Sequence, residues 1–126
     1  MAFTVEERQG RRIAVCPVDG PLLRSGRDAT DLIGETRSVD ATMLAVPIAR
    51  LDPEFFQLRS RIAGEFVQKF VNYGVHLVVL GDTSELASQS KALHDFIYES
   101  NRGNSTWFLA NMHELEARLA GVRSPR

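Results

Sequence analysis

The sequence predicts an α/β domain: a five-stranded, mainly parallel sheet with an N-terminal hairpin and four helices, in the order β-β-α-β-α-β-α-β-α. Three observations predict it. Short apolar runs of strand length recur at Ile13–Cys16, Ala41–Ile48, Val75–Leu80 and Ser105–Ala110. Longer segments with apolar residues at helical spacing separate or follow them. Near the start, Gln9-Gly10 divides Phe3–Val18 into two short strands and supplies the positive-φ residue a hairpin turn requires.

Each element has its own local reason. Ser25 stands three residues before Asp28, and Ala29, Leu32, Ile33 and Thr36 recur behind it, which predicts a capped helix from about Gly26 to Arg37. Ala41–Ile48 reads as a buried strand ending before Arg50, with Pro47 at a bend or edge. Asp52-Pro53-Glu54 combines a capping carboxylate, a proline at the first helical position and a first-turn acid, so a helix is expected from there onward. Its stripe of Leu58, Ile62, Phe66 and Phe70 runs to Tyr73-Gly74. Val75–Leu80 is expected to be a central strand stopped by Gly81-Asp82, and Thr83–Gln89 a loop. Ser88 or Ser90 caps a helix carrying Leu93, Phe96 and Ile97 and ending at Asn101-Arg102-Gly103. After the strand Ser105–Ala110, Asn111 and Glu114 form a capping box for a last helix closed by Gly121. Residues 1–121 are expected to be one domain and 122–126 a frayed tail.

Composition excludes several function classes. With 15 Lys and Arg against 16 Asp and Glu, scattered along the chain, no basic face for nucleic acid is expected. No apolar run approaches the length of a membrane span. The single cysteine, Cys16, lies in an apolar run and suits a reducing compartment, and the start of the chain lacks the pattern of a signal peptide. A cytoplasmic protein is the expectation.

Ile62-Ala63-Gly64-Glu65, Gln68 to Tyr73, Gly81-Asp82 and Asp95 to Asn104 give the chain a resemblance to the bacterial domain of unknown function 4180 family. That resemblance covers the chain from about Asp28 to the last helix and implies no activity. The strand, serine, helix and strand order from Met43 to Leu80 also resembles the sulfate-transporter and anti-sigma-factor-antagonist (STAS) domain, which implies a STAS-like topology and regulated protein binding. Ser60 is the serine nearest the position at which that family is phosphorylated, without the family's Asp-Ser-Ser-Gly sequence.

Catalytic and metal-binding constellations are not expected. His76, His94 and His113 fall on different elements without ligand spacing, and Cys16 has no cationic sequence neighbour to lower its thiol pKa. Glu65 with Lys69, and Asp95 with Glu99, have the spacing of solvated helix faces. Gly81-Asp82-Thr83-Ser84 has one glycine where a phosphate cradle needs several, so no nucleotide or other cofactor is expected.

The loops after the parallel strands share the carboxyl edge of the sheet, where ligands bind in such folds. Phe55, Ser60 and Asp82 fall there and are the candidate binding residues, the partner being another protein or a second copy of the chain. Adjacent helical residues point about 100° apart, so either Phe55 leans outward between Asp52 and Asp82, or both rings of Phe55-Phe56 pack under Thr83–Gln89. The opposite edge gathers Asn72, Glu99, Asn101, Arg102 and Asn104 as an alternative surface, with Gly74 and Gly103 expected as left-handed helix caps. The competing reading is an enzyme with Asp82 at the end of its central strand.

Overall fold

Gln9 and Gly10 both take positive φ, 52° and 76°, and turn β1 (Thr4–Arg8) into β2 (Arg11–Val15), with Arg8 opposite Arg11. The molecule is described from residue 3 to residue 123 of a computed structural model. From β2 the chain forms α1 (Gly26–Ser38), β3 (Met43–Pro47), α2 (Ile62–Tyr73), β4 (His76–Leu80), α3 (Ser84–Ser88), α4 (Lys91–Arg102), β5 (Thr106–Leu109) and α5 (Met112–Arg123). The sheet order is β1-β2-β3-β4-β5, with β1 antiparallel and the others parallel.

This sequential order decides where the helices go. Every right-handed crossover from β2 to β5 steps in the same direction, so the intervening helices collect on one face. Ala29, Leu32 and Ile33 of α1, Ala63, Phe66 and Phe70 of α2 and Leu93 of α4 are buried there against Ala14, Leu44, Val46, Leu77, Val79 and Phe108. α5 covers the other face, where Leu115 and Leu119 meet Ile13, Met43, Ala45, Val78 and Trp107. The alternation of strand side chains feeds both cores, which is why the strands read as continuous apolar runs.

The Ser25 capping box forms as expected, with Ser25 Oγ accepting from Asp28 N at 3.0 Å and Asp28 accepting from Ser25 N at 3.1 Å. Pro47 pairs with Leu80 but lies beyond the β2 ladder, which ends at Ala45. Asn111 Oδ1 accepts from Glu114 N at 2.9 Å, while the Glu114 carboxylate reaches Ala110 N instead of the Asn111 amide.

Five further expectations are corrected. There are five α-helices among the described residues instead of four, because Thr83–Gln89 is not a plain loop: Asp82 accepts from Ser84 N at 2.9 Å and α3 turns Leu86 toward the core. The helix expected from Asp52 is interrupted. Pro53–Phe56 and Leu58–Ser60 are 3-10 turns, Arg61 is left-handed at φ 68°, and α2 begins only at Ile62. Local capping works as expected, since Asp52 accepts from Glu54 N at 2.9 Å. Burial of two adjacent rings then overrides helix propensity, and Phe55 and Phe56 are 0% and 7% exposed. Phe55 is therefore a core ring and not an exposed contact. Gly103 is extended at φ −93°, unlike left-handed Gly74 at 71°, and offers its carbonyl to Trp107 Nε1 at 2.8 Å. Finally, α5 passes through Gly121 to Arg123 because glycine permits a helix stop without enforcing one, and the Leu115–Leu119 face anchors the helix. Of the expected tail 122–126, residues 124–126 lie outside the described residues.

Candidate functional site at the carboxyl edge

Sheets of this kind hold ligands where the strand order reverses, and an order of 2-3-4-5 has no reversal among its parallel strands. Whatever the carboxyl edge recognises must therefore be formed by its loops. The most constrained of these is the β2–α1 loop, and the residue that constrains it is Arg50.

Arg50 ends a 3-10 turn that follows β3, and it is only 3% exposed. Leu23 N donates to Arg50 O at 2.7 Å and Asp52 N to Leu23 O at 3.0 Å, a short parallel bridge that ties the two loops together. Inside this bridge the guanidinium donates from Nε to Pro21 O at 3.0 Å, and from Nη1 to Pro17 O at 2.8 Å and Asp19 O at 3.2 Å. Nη1 also lies 3.4 Å from Cys16 Sγ. Backbone carbonyl dipoles thus solvate the buried cation, which makes no ion pair among the described residues. Gly20 completes the clasp. Its φ is 144°, and a Cβ there would stand 2.7 Å from Arg50 Cζ, so only glycine lets the backbone lie on the guanidinium.

The clasp has an outward consequence. With the carbonyls of the loop turned in, Val18 and Leu22 are left 62% and 52% exposed, two of the largest apolar exposures among the described residues. Beside the clasp lies a cleft of about 260 Å³, with apolar walls from Phe3, Leu23 and Leu32 and with Arg50, Asp31 and Glu35 among its polar groups. Cys16, 1% exposed, is a core thiol whose pKa is pushed up by burial, which outweighs the opposing field of Arg50 and disfavours the thiolate.

The expected rim residues do not converge on this place. Phe55 packs edge-on against Phe56 and Phe66 at 5.0 and 5.6 Å. Phe56 instead lines a groove of about 420 Å³ with Leu58, Leu86 and Leu93, under the segment Thr83–Gln89. The exposed Ser60 hydroxyl donates to Glu54 O at 2.9 Å and accepts from Ile62 N at 3.2 Å, joining the 3-10 turns to α2. Asp82 is exposed, and its hydrogen bond from Ser84 N holds its pKa below the usual carboxylate value.

At the amino edge, Asn101 has a structural task. Its amide accepts from Phe108 N at 2.7 Å and donates to Phe108 O at 3.2 Å, pairing the open edge of β5 as a neighbouring strand would. Glu99 and Arg102 form an exposed pair at 3.7 Å, and Asn72 accepts from Gln68 Nε2 at 2.9 Å. Asn104 lines a cavity of about 290 Å³ with Arg11, Thr42 and His76. On the α5 face the His76 ring meets Trp107 edge-on at 4.2 Å, and the Arg118 guanidinium lies 4.1 Å from the Trp107 centroid. Among the described residues His76 Nε2 is buried without a hydrogen-bond partner.

Burial, reinforced by Arg11 and Arg118, pushes the His76 pKa down to about 4. The unfolded chain takes up a proton on this residue near its ordinary value of 6.5, and the folded chain does not until about 4. Stability is therefore fully present above pH 6.5 and declines as the pH falls toward 4. With allowance for the partial exposure of the ring, the loss is on the order of 1–2 kcal/mol. Urea titrations of wild type and His76→Gln across this window should show a steeper decline in the wild type, and parallel curves would refute the assignment.

Residues 8–119 match the family model described as Domain of unknown function (DUF4180). The chain belongs to that family. No curated protein and no solved structure matches it. In this DUF4180 domain the motif residues quoted above take on physical roles: Ile62–Glu65 opens α2, Gln68–Tyr73 closes it, and Asn101 clips β5. Arg50 lies within the matched segment but outside those motifs. An arginine five residues after Ala45 in an apolar stretch was the only sequence signal for the clasp, and nothing local distinguishes it from a surface arginine.

Proposed function

We propose that this DUF4180 domain is a cytoplasmic protein-interaction module that docks the loop Pro17–Leu22 into an apolar groove on another protein. The observation that carries this reading is the pairing of a buried arginine clasp with two outward apolar side chains, Val18 and Leu22. A loop already immobilised by its own hydrogen bonds loses little conformational entropy on docking, so its apolar area converts efficiently into affinity. Singly exposed apolar residues are ordinary on any surface; a pair fixed on one pre-ordered loop is the form of a recognition element.

The STAS-like aspect of this reading rests on β3, Ser60, α2 and β4 following one another in that order, with Ser60 exposed just before α2. An enzyme centred on Asp82 has no such support. A fully exposed carboxylate whose pKa is lowered by a capping hydrogen bond is a weak base at neutral pH.

The double variant Val18→Asp, Leu22→Asp tests the proposal. Its melting temperature should stay near that of wild type, while binding partners recovered by affinity capture fall by at least about tenfold. A Glu99→Lys control at the opposite edge should retain them. Unchanged recovery in the double variant refutes the reading, and loss of a homodimer in place of a captured partner redirects the loop to self-association.

A further inference from the structure

The geometry points to the cleft beside Arg50 as a binding site for a small zwitterion with an apolar body, of the size of a free aliphatic amino acid. Arg50, 97% removed from solvent by its 3% exposure, lines the cleft and is not fully used by the fold. Nε and Nη1 hold the loop, whereas Nη2 donates to no partner among the described residues. A guanidinium with an uncommitted N–H group and no ion pair among the described residues is a receptor for a carboxylate.

The lining of the same cleft also carries the opposite charge. Asp31 and Glu35 are exposed, one helical turn apart on α1, and neither carboxylate makes a hydrogen bond or ion pair among the described residues. Two like charges at this spacing cost the helix a little, so the fold gains nothing from them. Asp28, also in the cleft, is already committed to the amides of Arg24 and Ser25. Phe3, Leu23 and Leu32 supply the apolar part of the lining.

The arrangement discriminates by charge. A simple anion drawn to Arg50 meets the field of Asp31 and Glu35, and a simple cation drawn to those carboxylates meets the buried guanidinium. A molecule bearing both charges complements both kinds of charged group, and its aliphatic body takes the apolar lining. A volume of about 260 Å³ admits a ligand of that size and no nucleotide. The inference goes beyond the docking loop, because Val18 and Leu22 do not line the cleft.

Titration of the full chain, followed by amide and arginine Nε–H resonances, tests it with four probes. L-leucine and ε-aminocaproate carry both charges at different spacings; isocaproate keeps only the carboxylate and isoamylamine only the ammonium. Saturable shifts at Leu23, Leu32 and Arg50 are expected with at least one zwitterion at millimolar concentration. Both single-charge probes should bind at least about tenfold more weakly. Asp31→Asn with Glu35→Gln should weaken the zwitterion about tenfold without lowering the melting temperature, and Val18→Asp with Leu22→Asp should leave it bound. The inference is overturned if no zwitterion gives saturable shifts at those residues. It is equally overturned if a single-charge probe binds as tightly, or if the Asp31 and Glu35 replacements leave affinity unchanged.

Discussion

Phe55→Ala is expected to lower the unfolding free energy by about 3–5 kcal/mol. The ring is 0% exposed and sits at the junction of the 3-10 turns with α2, edge-on to Phe56 at 5.0 Å and Phe66 at 5.6 Å, while Phe66 continues to Phe70 at 5.5 Å. Truncation removes one member of this chain of rings and leaves a cavity that the sheet beneath cannot fill. Phe66→Ala should fall in the same range, and the double variant should lose less than the sum because the two cavities share a wall. Equilibrium urea denaturation measures all three. A loss under about 1 kcal/mol for Phe55→Ala would mean that the 3-10 segment is not packed as described.

Arg50→Met is expected to cost about 2–4 kcal/mol, although it replaces a buried charge with an apolar chain of similar length. Such replacements are tolerated where the partners of the charge are replaced too. Here the partners are the carbonyls of Pro17, Asp19 and Pro21, which remain in place and lose their donors. The estimate stays at the lower end for a buried charge because Asp19 and Pro21 are exposed residues, so water can reach part of the loop. Arg50→Lys should not restore the loss, since one ammonium cannot reproduce the planar fork that reaches carbonyls on both sides. Hydrogen exchange should locate the effect: the Leu23 and Asp52 amides, bonded across the Arg50 bridge, should lose protection before those of β4. Full protection at both amides in Arg50→Met would show that the guanidinium does not hold the loop.

What could be read locally was read correctly where the deciding forces are local. The Gln9-Gly10 turn, the Ser25 box and the Gly74 cap each depend on a few neighbouring atoms, and each is present. The five strands follow from apolar runs whose length and β-branching suit a sheet covered on both faces. Even Asp52-Pro53 started the turn its chemistry dictates. The reading failed two residues later, where the question became which of two adjacent rings the core would accept. It accepted both, by breaking the helix at Gln57 and resuming at Ile62.

The sequence by itself determined the α/β class, the hairpin, the strand count and the membership that its motifs announce. Only the tertiary structure decided that Phe55 is core, that Asn101 is a strand-edge clip, and that Arg50 is the organising residue of the carboxyl edge. The physical reason is common to all three. Propensities, caps and periodicity are set by residues within a turn or two. The partners of Arg50 are carbonyls 29 to 33 residues away, and a carbonyl carries no side-chain identity by which a sequence can show it.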